Sequence, residues 1–426
     1  FSYEEIAGKR TQVYTDQGIE LKTVDLRSLA ADDFGLAVTK HCEHFQQSLD
    51  ISIGQLSQFV WMQTPTTQSH NRLLMVIHHL AIDGVSWRIL LEDIQNALQA
   101  AQKGEAFSWS PKSSSYRQWY QGLVAYAQEN SVSHSLNHWI TTVQGFQPLP
   151  LDLEEVQKTR LRAMAEVQQQ LDKAATDELL QQVHQAYKTE INDILLAALA
   201  LTIGEWTGRQ QFNLGLEGHG RDVLEGNIPI DQTVGWFTTL YPVGLTYPET
   251  GELRDAIKAT KEALRRIPDK GLSYGALRYL HKDAAIREQL SNDRPWDIVF
   301  NYLGQLDKAI AHQDRLIQGA NESVGASVHQ DNWANYKMAI NCAVLDGELK
   351  ITWTYSSAAY HPQTIQQLAQ NYLHHLKQII QHCKDQSKTE LTPSDLGFDE
   401  LVSYQELDAF LDTKDDVESD NDFLLV

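Results

Sequence analysis

The chain has 426 residues, 42% of them hydrophobic, and sets 35 Lys and Arg against 56 Asp and Glu for a formal charge of −21. That length can build two domains or one large one around substantial cores, while the acidic balance argues against a nucleic-acid surface, whose footprint is basic. No apolar stretch approaches a membrane span and no charged-then-apolar leader opens the chain, so a cytoplasmic protein without membrane contact is expected.

In chain order, residues 11–14 read as a strand already inside a sheet, and the apolar run 73–77 reads as a buried strand. The stretch His78-His79-Leu80-Ala81-Ile82-Asp83-Gly84-Val85-Ser86-Trp87-Arg88 follows it directly. Residues 86–102 and 114–128 carry apolar side chains at three- and four-residue spacing and predict amphipathic helices. Pro148 and Pro150 then break the pattern, marking a crossover between a half ending at 147 and one starting at 148. In the second half, 165–171 predicts a strand and 176–187 a helix capped by Thr176. Residues 192–201 are apolar nearly all round after a polar start, as in a core helix. Strands are predicted at 212–216 and 297–302, a hairpin at 338–345 and 349–355 around Asp346-Gly347, and a long helix over 361–383. Residues 413–426 are acidic and expected to be a disordered tail with an apolar end. Helices and strands mix throughout, so the fold class is α/β (α+β), with no repeat at a solenoid period.

Two stretches could carry chemistry. His78 and His79 sit where a strand gives way to a loop held by the scaffold. If the strand runs through both, they point to opposite faces, one toward a cleft and one packing or orienting. An imidazole suits proton transfer near neutral pH. Gly84 supplies a turn with no side chain to crowd a ligand, and Asp83 can fix the loop through Arg88 or a distant arginine. Taken alone, a lone histidine at a strand end is more often a half-buried structural residue. The second stretch is Glu217-Gly218-His219-Gly220-Arg221-Asp222, where alternation puts Glu217, His219 and Arg221 on one face of an extended segment. Its plainer reading is a surface turn with an internal Glu–Arg pair. Residues 232–243 are mostly core material, and Asn301 and Tyr302 place an amide and a phenol at another strand end. Cys42, Cys342 and Cys383 form neither a disulfide framework nor a metal cluster, and no HExxH helix, GxSxG elbow, Walker loop or dinucleotide fingerprint is present. No metal is expected.

The series His78–Trp87, Asn192-Asp193-Ile194-Leu195-Leu196, Glu217–Arg221, Thr233–Val243, Pro268–Gly275 and Phe300–Gly304 resembles, in that order, the motifs of epimerization domains of nonribosomal peptide synthetases, members of the condensation-domain superfamily. HHxxxDG is shared with condensation domains and many acyltransferases; EGHGR, TVGWFT-xx-YPV and FNYLG are far more specific to epimerization. The resemblance covers residues 1 to about 412. The family's first motif, ahead of the first strand, is absent, so residues 1–147 are expected to form a first lobe short of its initial segment. Asp222 stands where the family usually has Glu.

The resemblance implies two chloramphenicol-acetyltransferase-like lobes forming a V with a central tunnel, residues 148–412 being the second lobe. It implies a substrate carried as an aminoacyl or peptidyl thioester on the phosphopantetheine arm of a peptidyl carrier protein, the upstream thiolation domain, within a chain of adjacent synthetase modules. The reaction would invert the α-carbon, with His79 and Glu217 catalytic. His78, Asp83, Gly84, Trp87, His219, Arg221, Asn301 and Tyr302 would support the site or orient the substrate. No cofactor bound by this chain is expected, because a thioester already activates its α-proton. Donors for the enolate oxygen could be Asn301, Tyr302 or backbone N–H groups near Gly84. Burial beside Trp236 and Phe237 could raise the basicity of Glu217. A condensing acyltransferase, using His79 without an opposing carboxylate, and an inactive carrier-binding module are the alternatives.

Overall fold

The computed structural model describes all residues except 1, 7, 15–17, 155–157, 222–223, 225–227, 292–294, 306–315 and 398–426. Asp222 and the acidic tail at 413–426 therefore lie outside the described residues. Two compact units organise the chain: Phe1–Gly122 with Val223–Thr238 and Lys308–Asn332, and Leu123–Asp222 with Thr239–Asp307 and Trp333–Val426.

The first unit holds a two-stranded hairpin, β1 (Ser2–Ile6) and β2 (Lys9–Val13), and a three-stranded sheet of β3 (Leu21–Asp25), β4 (Ser57–Gln63) and β5 (Arg72–Ile77), in the order β3-β4-β5. Helix α1 (Ala31–Gln47) lays Phe34, Val38 and Cys42 against Val60, Met62 and Leu74. Val60 and Met62 are two apart on β4, so alternation delivers both to the helix-covered face. Two further helices follow, α2 (Gly84–Lys103) and α3 (Tyr116–Tyr126), the second running across the unit boundary. Gly104 stops α2 in a left-handed conformation, φ 72°.

By contact the first boundary falls after Gly122 rather than at the proline pair. The reason is visible in α4 (Leu136–Gln144): Trp139 is fully buried against Tyr274, near Tyr241, and donates to Ser273 Oγ at 3.0 Å. The proline segment is itself tied into the second unit, where Leu149 N donates to Asp297 Oδ2 at 2.8 Å.

The second unit is built on a six-stranded sheet of β6 (Met164–Leu171), β7 (Gln211–Gly218), β8 (Thr239–Thr246), β9 (Ile298–Gln305), β10 (Met338–Leu345) and β11 (Glu348–Ser356). The order is β6-β11-β10-β9-β7-β8, with β10/β9 and β9/β7 parallel and the other pairs antiparallel. Asp346 and Gly347, both at positive φ (52° and 76°), close the tight β10–β11 turn predicted from sequence. Helix α5 (Lys173–Gln181) is capped not by Thr176 but by Asp172, whose carboxylate accepts from Ala175 N at 3.0 Å. Thr176 is instead buried, donating to Leu171 O and accepting from Leu349 N. The predicted continuation to 187 breaks after Gln181, and a separate turn, His184–Tyr187, ends at a left-handed Lys188.

Helices α6 (Ile191–Thr207), α7 (Leu253–Arg265) and α8 (Pro362–Asp385) cover one face of this sheet. Helix α6 is buried from Asp193 to Gly204, as its all-round apolar pattern predicts. Its buried Asp193 is gripped by the two terminal guanidinium nitrogens of Arg265, Nη1 and Nη2, at 3.1 and 2.8 Å, and burial pushes that carboxyl above its ordinary range. Trp353 stacks edge-on with Tyr372 of α8, so the alternate positions of β9, β10 and β11 in register with it face the helices. The intervening positions, Glu217 and Asn301 among them, project from the other face.

Candidate active site

In the first unit, β5 stops at Ile77, one residue short of the histidine pair. His78 is extended (φ −60°, ψ 135°) and its Nδ1 accepts from Leu80 N at 3.1 Å, opening a single tight turn over His79–Ala81. The backbone switches from extended to helical between the two histidines, so no strand runs through both. His78 is half-buried and His79 exposed. Burial, with the adjacent His79, holds His78 below its ordinary pKa, which suits a ring whose Nδ1 must stay an acceptor.

Asp83 caps α2. Its Oδ1 accepts from Ser86 N at 2.7 Å and its Oδ2 from Phe237 N at 3.1 Å. This buried carboxylate thus takes backbone amides, one local and one from the TVGWF segment. Ser86 makes the second tie, donating to Gly235 O at 3.0 Å and accepting from Gly235 N at 3.1 Å. Gly235 is a close approach: a Cβ there would lie 2.5 Å from the Tyr116 ring. Tyr116 donates to Trp236 O at 3.0 Å, and Phe237 is buried against Tyr116 and Trp119. These bonds set the Trp236 ring 4.7 Å from the His79 ring, centroid to centroid. The second motif thus clamps the first and supplies an aromatic wall for its exposed imidazole. Gly84 begins α2, and a Cβ there would meet nothing within 4 Å, so nothing among the described residues requires glycine at that point. Trp87 is half-buried in the first turn of α2.

In the second unit, Glu217 is half-buried one residue before the end of β7. Asn301 on neighbouring β9 donates from Nδ2 to Glu217 Oε2 at 2.6 Å, a bond made possible by the register that pairs Leu216 with Phe300. Asn301 therefore orients the carboxylate. Tyr302, one residue on, turns to the opposite face with Cys342, its register partner; burial and that thiol push its phenol up to about 12. The expected shared face of Glu217, His219 and Arg221 does not form. The strand ends at Gly218, Gly220 is left-handed at φ 63°, and the exposed His219 uses Nδ1 to accept from Arg221 N at 3.1 Å. Alternation fails because the segment turns there.

Among the described residues no group of three or more His, Cys, Asp or Glu could hold a metal, and no helix is long and apolar enough to cross a membrane. The three cysteines are buried free thiols. Sequence reasoning gave no role to Ser86 or Tyr116, whose partners lie 149 and 120 residues away; a serine three residues after a capping aspartate was the one local hint.

Bacitracin synthase 3 from Bacillus licheniformis is 35% identical over 364 residues, 85% of this chain and 6% of that protein. Gramicidin S synthase 1 from Brevibacillus brevis is 34% identical over 427 residues, 96% of this chain and 38% of its own length. The chain thus spans a small part of the curated relatives it matches. The crystal structure of the epimerization domain from the third module of tyrocidine synthetase B is 31% identical, with a TM-score of 0.79, over 90% of this chain and 84% of that one. The first condensation domain of the calcium-dependent antibiotic synthetase, at 14% identity and a TM-score of 0.63, shares the mixed helix-and-sheet fold. The condensation domain family matches residues 1–402, and the chain belongs to that family.

Proposed function

We propose that this chain epimerizes the α-carbon, L to D, of an aminoacyl or peptidyl thioester tethered to a peptidyl carrier protein of a synthetase. The observation that carries the reading is the 31% identity and TM-score of 0.79 to an epimerization domain. The oriented carboxylate of Glu217, held by Asn301, gives it chemistry. One group takes the α-proton, the electron pair stays on the substrate as the thioester enolate, and a second group returns a proton from the opposite face. His79 and Glu217 are the proposed pair, and each general acid–base group typically contributes about 10²–10⁴-fold. The two groups exchange protonation states in each turnover and are reset by solvent. The phosphopantetheine arm is part of the substrate and comes with the carrier; neighbouring synthetase modules are the proposed partners. The runner-up, an amide-forming condensation domain, is favoured by the family's description and by HHxxxDG, but it assigns Glu217 no task.

The test is a carrier-bound L-aminoacyl thioester incubated with the chain in heavy water. Deuterium at Cα and accumulation of the D form are expected. Amide formation with a second carrier-bound amino acid, without deuterium entry, would hand the reading to condensation.

A further inference from the structure

Three motif stretches of the second unit meet on one ring. Tyr241 of β8 is 6% exposed and is the register partner of Leu216, the residue before Glu217. Strand alternation puts Leu216, Gly218 and Tyr241 on one face and the Glu217 side chain on the other. A Cβ on Gly271, in the Pro268–Gly275 stretch, would overlap the Tyr241 ring. A Cβ on Gly218 would lie 3.3 Å from Tyr241 Cε1 and 2.8 Å from Thr239 Oγ1. The ring thus fills the space of two absent side chains, one of them next to Glu217. The two glycines are there for different reasons. Gly271 has φ 88°, so its backbone alone calls for glycine. Gly218 ends β7 without a positive φ, so its backbone would accept a side chain and only the close approach excludes one. Behind the ring, the turn at Pro268–Gly271 is strained, with the non-glycine residues Asp269 and Lys270 at φ 47° and 49°. Tyr126 Oη pins that turn by donating to Asp269 Oδ2 at 2.5 Å. Backbone strain persists only where the surroundings fix it, and it gathers at working sites.

We propose that Tyr241 is a positioning residue for Glu217. Wedged between Gly218 and Gly271, its ring braces the end of β7 from the face opposite the carboxylate, and so keeps Glu217 within reach of Asn301 Nδ2. Asn301 sets the side chain; Tyr241 sets the backbone beneath it. The inference rests on Glu217 being the acid–base group.

The test uses the full chain and two readouts. One is kcat and KM on a carrier-bound aminoacyl thioester; the other is the titration midpoint of the Glu217 carboxylate by carbon NMR, assigned with Glu217→Gln. Tyr241→Leu removes the ring, and kcat should fall roughly ten- to hundred-fold at unchanged KM. The Glu217 midpoint should rise, because a carboxylate that loses a hydrogen-bond donor is easier to protonate. Tyr241→Phe keeps the ring and should match wild type in both. Should Tyr241→Leu not fold, Gly218→Ala pushes the ring and Thr239 aside and should move both readouts the same way. Native kcat with an unmoved midpoint, in whichever of the two variants folds, overturns the proposal. So does a fall in kcat with an unmoved midpoint, which marks general damage, or a Tyr241→Phe protein as impaired as Tyr241→Leu. A midpoint that rises in a protein whose wild type exchanges no α-proton leaves Tyr241 as the brace and removes the epimerase reading.

Discussion

The two candidate groups are held by opposite means. His79 sits on a three-residue turn fixed by capping: Asp83 and Ser86 tie the start of α2 to the backbone of Gly235 and Phe237. Glu217 sits on a regular strand and is fixed by register, one amide from β9 meeting its carboxylate. A capped turn depends on a few bonds that cross long stretches of sequence, whereas a strand position is set by the whole ladder. Damage should therefore spread differently from the two sites. Around His79, stability and rate should fall together; around Glu217, rate should fall alone.

The largest expected effect breaks this comparison if it fails. Glu217→Gln keeps the volume and hydrogen-bonding capacity but cannot exchange a proton, so inversion should fall by about 10²–10⁴-fold with the melting temperature unchanged. Full inversion by this variant would falsify the two-group mechanism and leave His79 as the sole proton carrier. His79→Ala should cost as much in rate, yet deuterium entry into one enantiomer should survive, catalysed by the remaining group. Chirality and deuterium content measured from each enantiomer assign the faces.

Asp83→Ala sharpens the other side. Losing the cap costs about 1 kcal/mol, and stranding the buried Phe237 N–H costs about 1–3 kcal/mol more, so chemical denaturation should report a loss of a few kcal/mol alongside lower activity. Asn301→Leu should do the reverse. With the carboxylate unoriented, kcat should fall roughly ten- to hundred-fold at near-native stability. An Asp83→Ala protein of native stability, or a strongly destabilised Asn301→Leu, would erase the distinction between the two kinds of support.

How much of this was legible in the sequence follows the same division. Local signals read well: the Asp346-Gly347 hairpin, the all-round apolar helix α6 and the turn after Ile77 each follow from a few adjacent residues. Register was half legible. Strand ends at Glu217 and Asn301 could be placed, but not that β7 and β9 are neighbours across 84 residues, so the bond from Asn301 to Glu217 had no signature in the sequence. Periodicity misled where a left-handed residue interrupts it, as at Gly220, and propensity misled at Thr176, whose hydroxyl serves Leu349 N across 173 residues while Asp172 caps the helix. The Asp83–Phe237 and Ser86–Gly235 bonds leave no local trace, because a backbone N–H carries no sequence signature.

The smallest expected effect is a pH dependence, and it belongs to the capped turn. His78 is held below its ordinary pKa of 6.5 by burial and by His79. The unfolded chain therefore binds more protons than the fold does in the window below pH 6.5, and folding stability contributed by this residue is intact above that value and lost as pH falls. Protonation would also put an N–H on Nδ1, where Leu80 N now donates. Asparagine can accept the same backbone bond from a short side chain without titrating. Denaturation curves from pH 7 to pH 5 should thus show wild type losing more stability than His78→Asn. Parallel curves would mean that the turn tolerates the imidazolium and that the Nδ1 bond to Leu80 holds nothing in place.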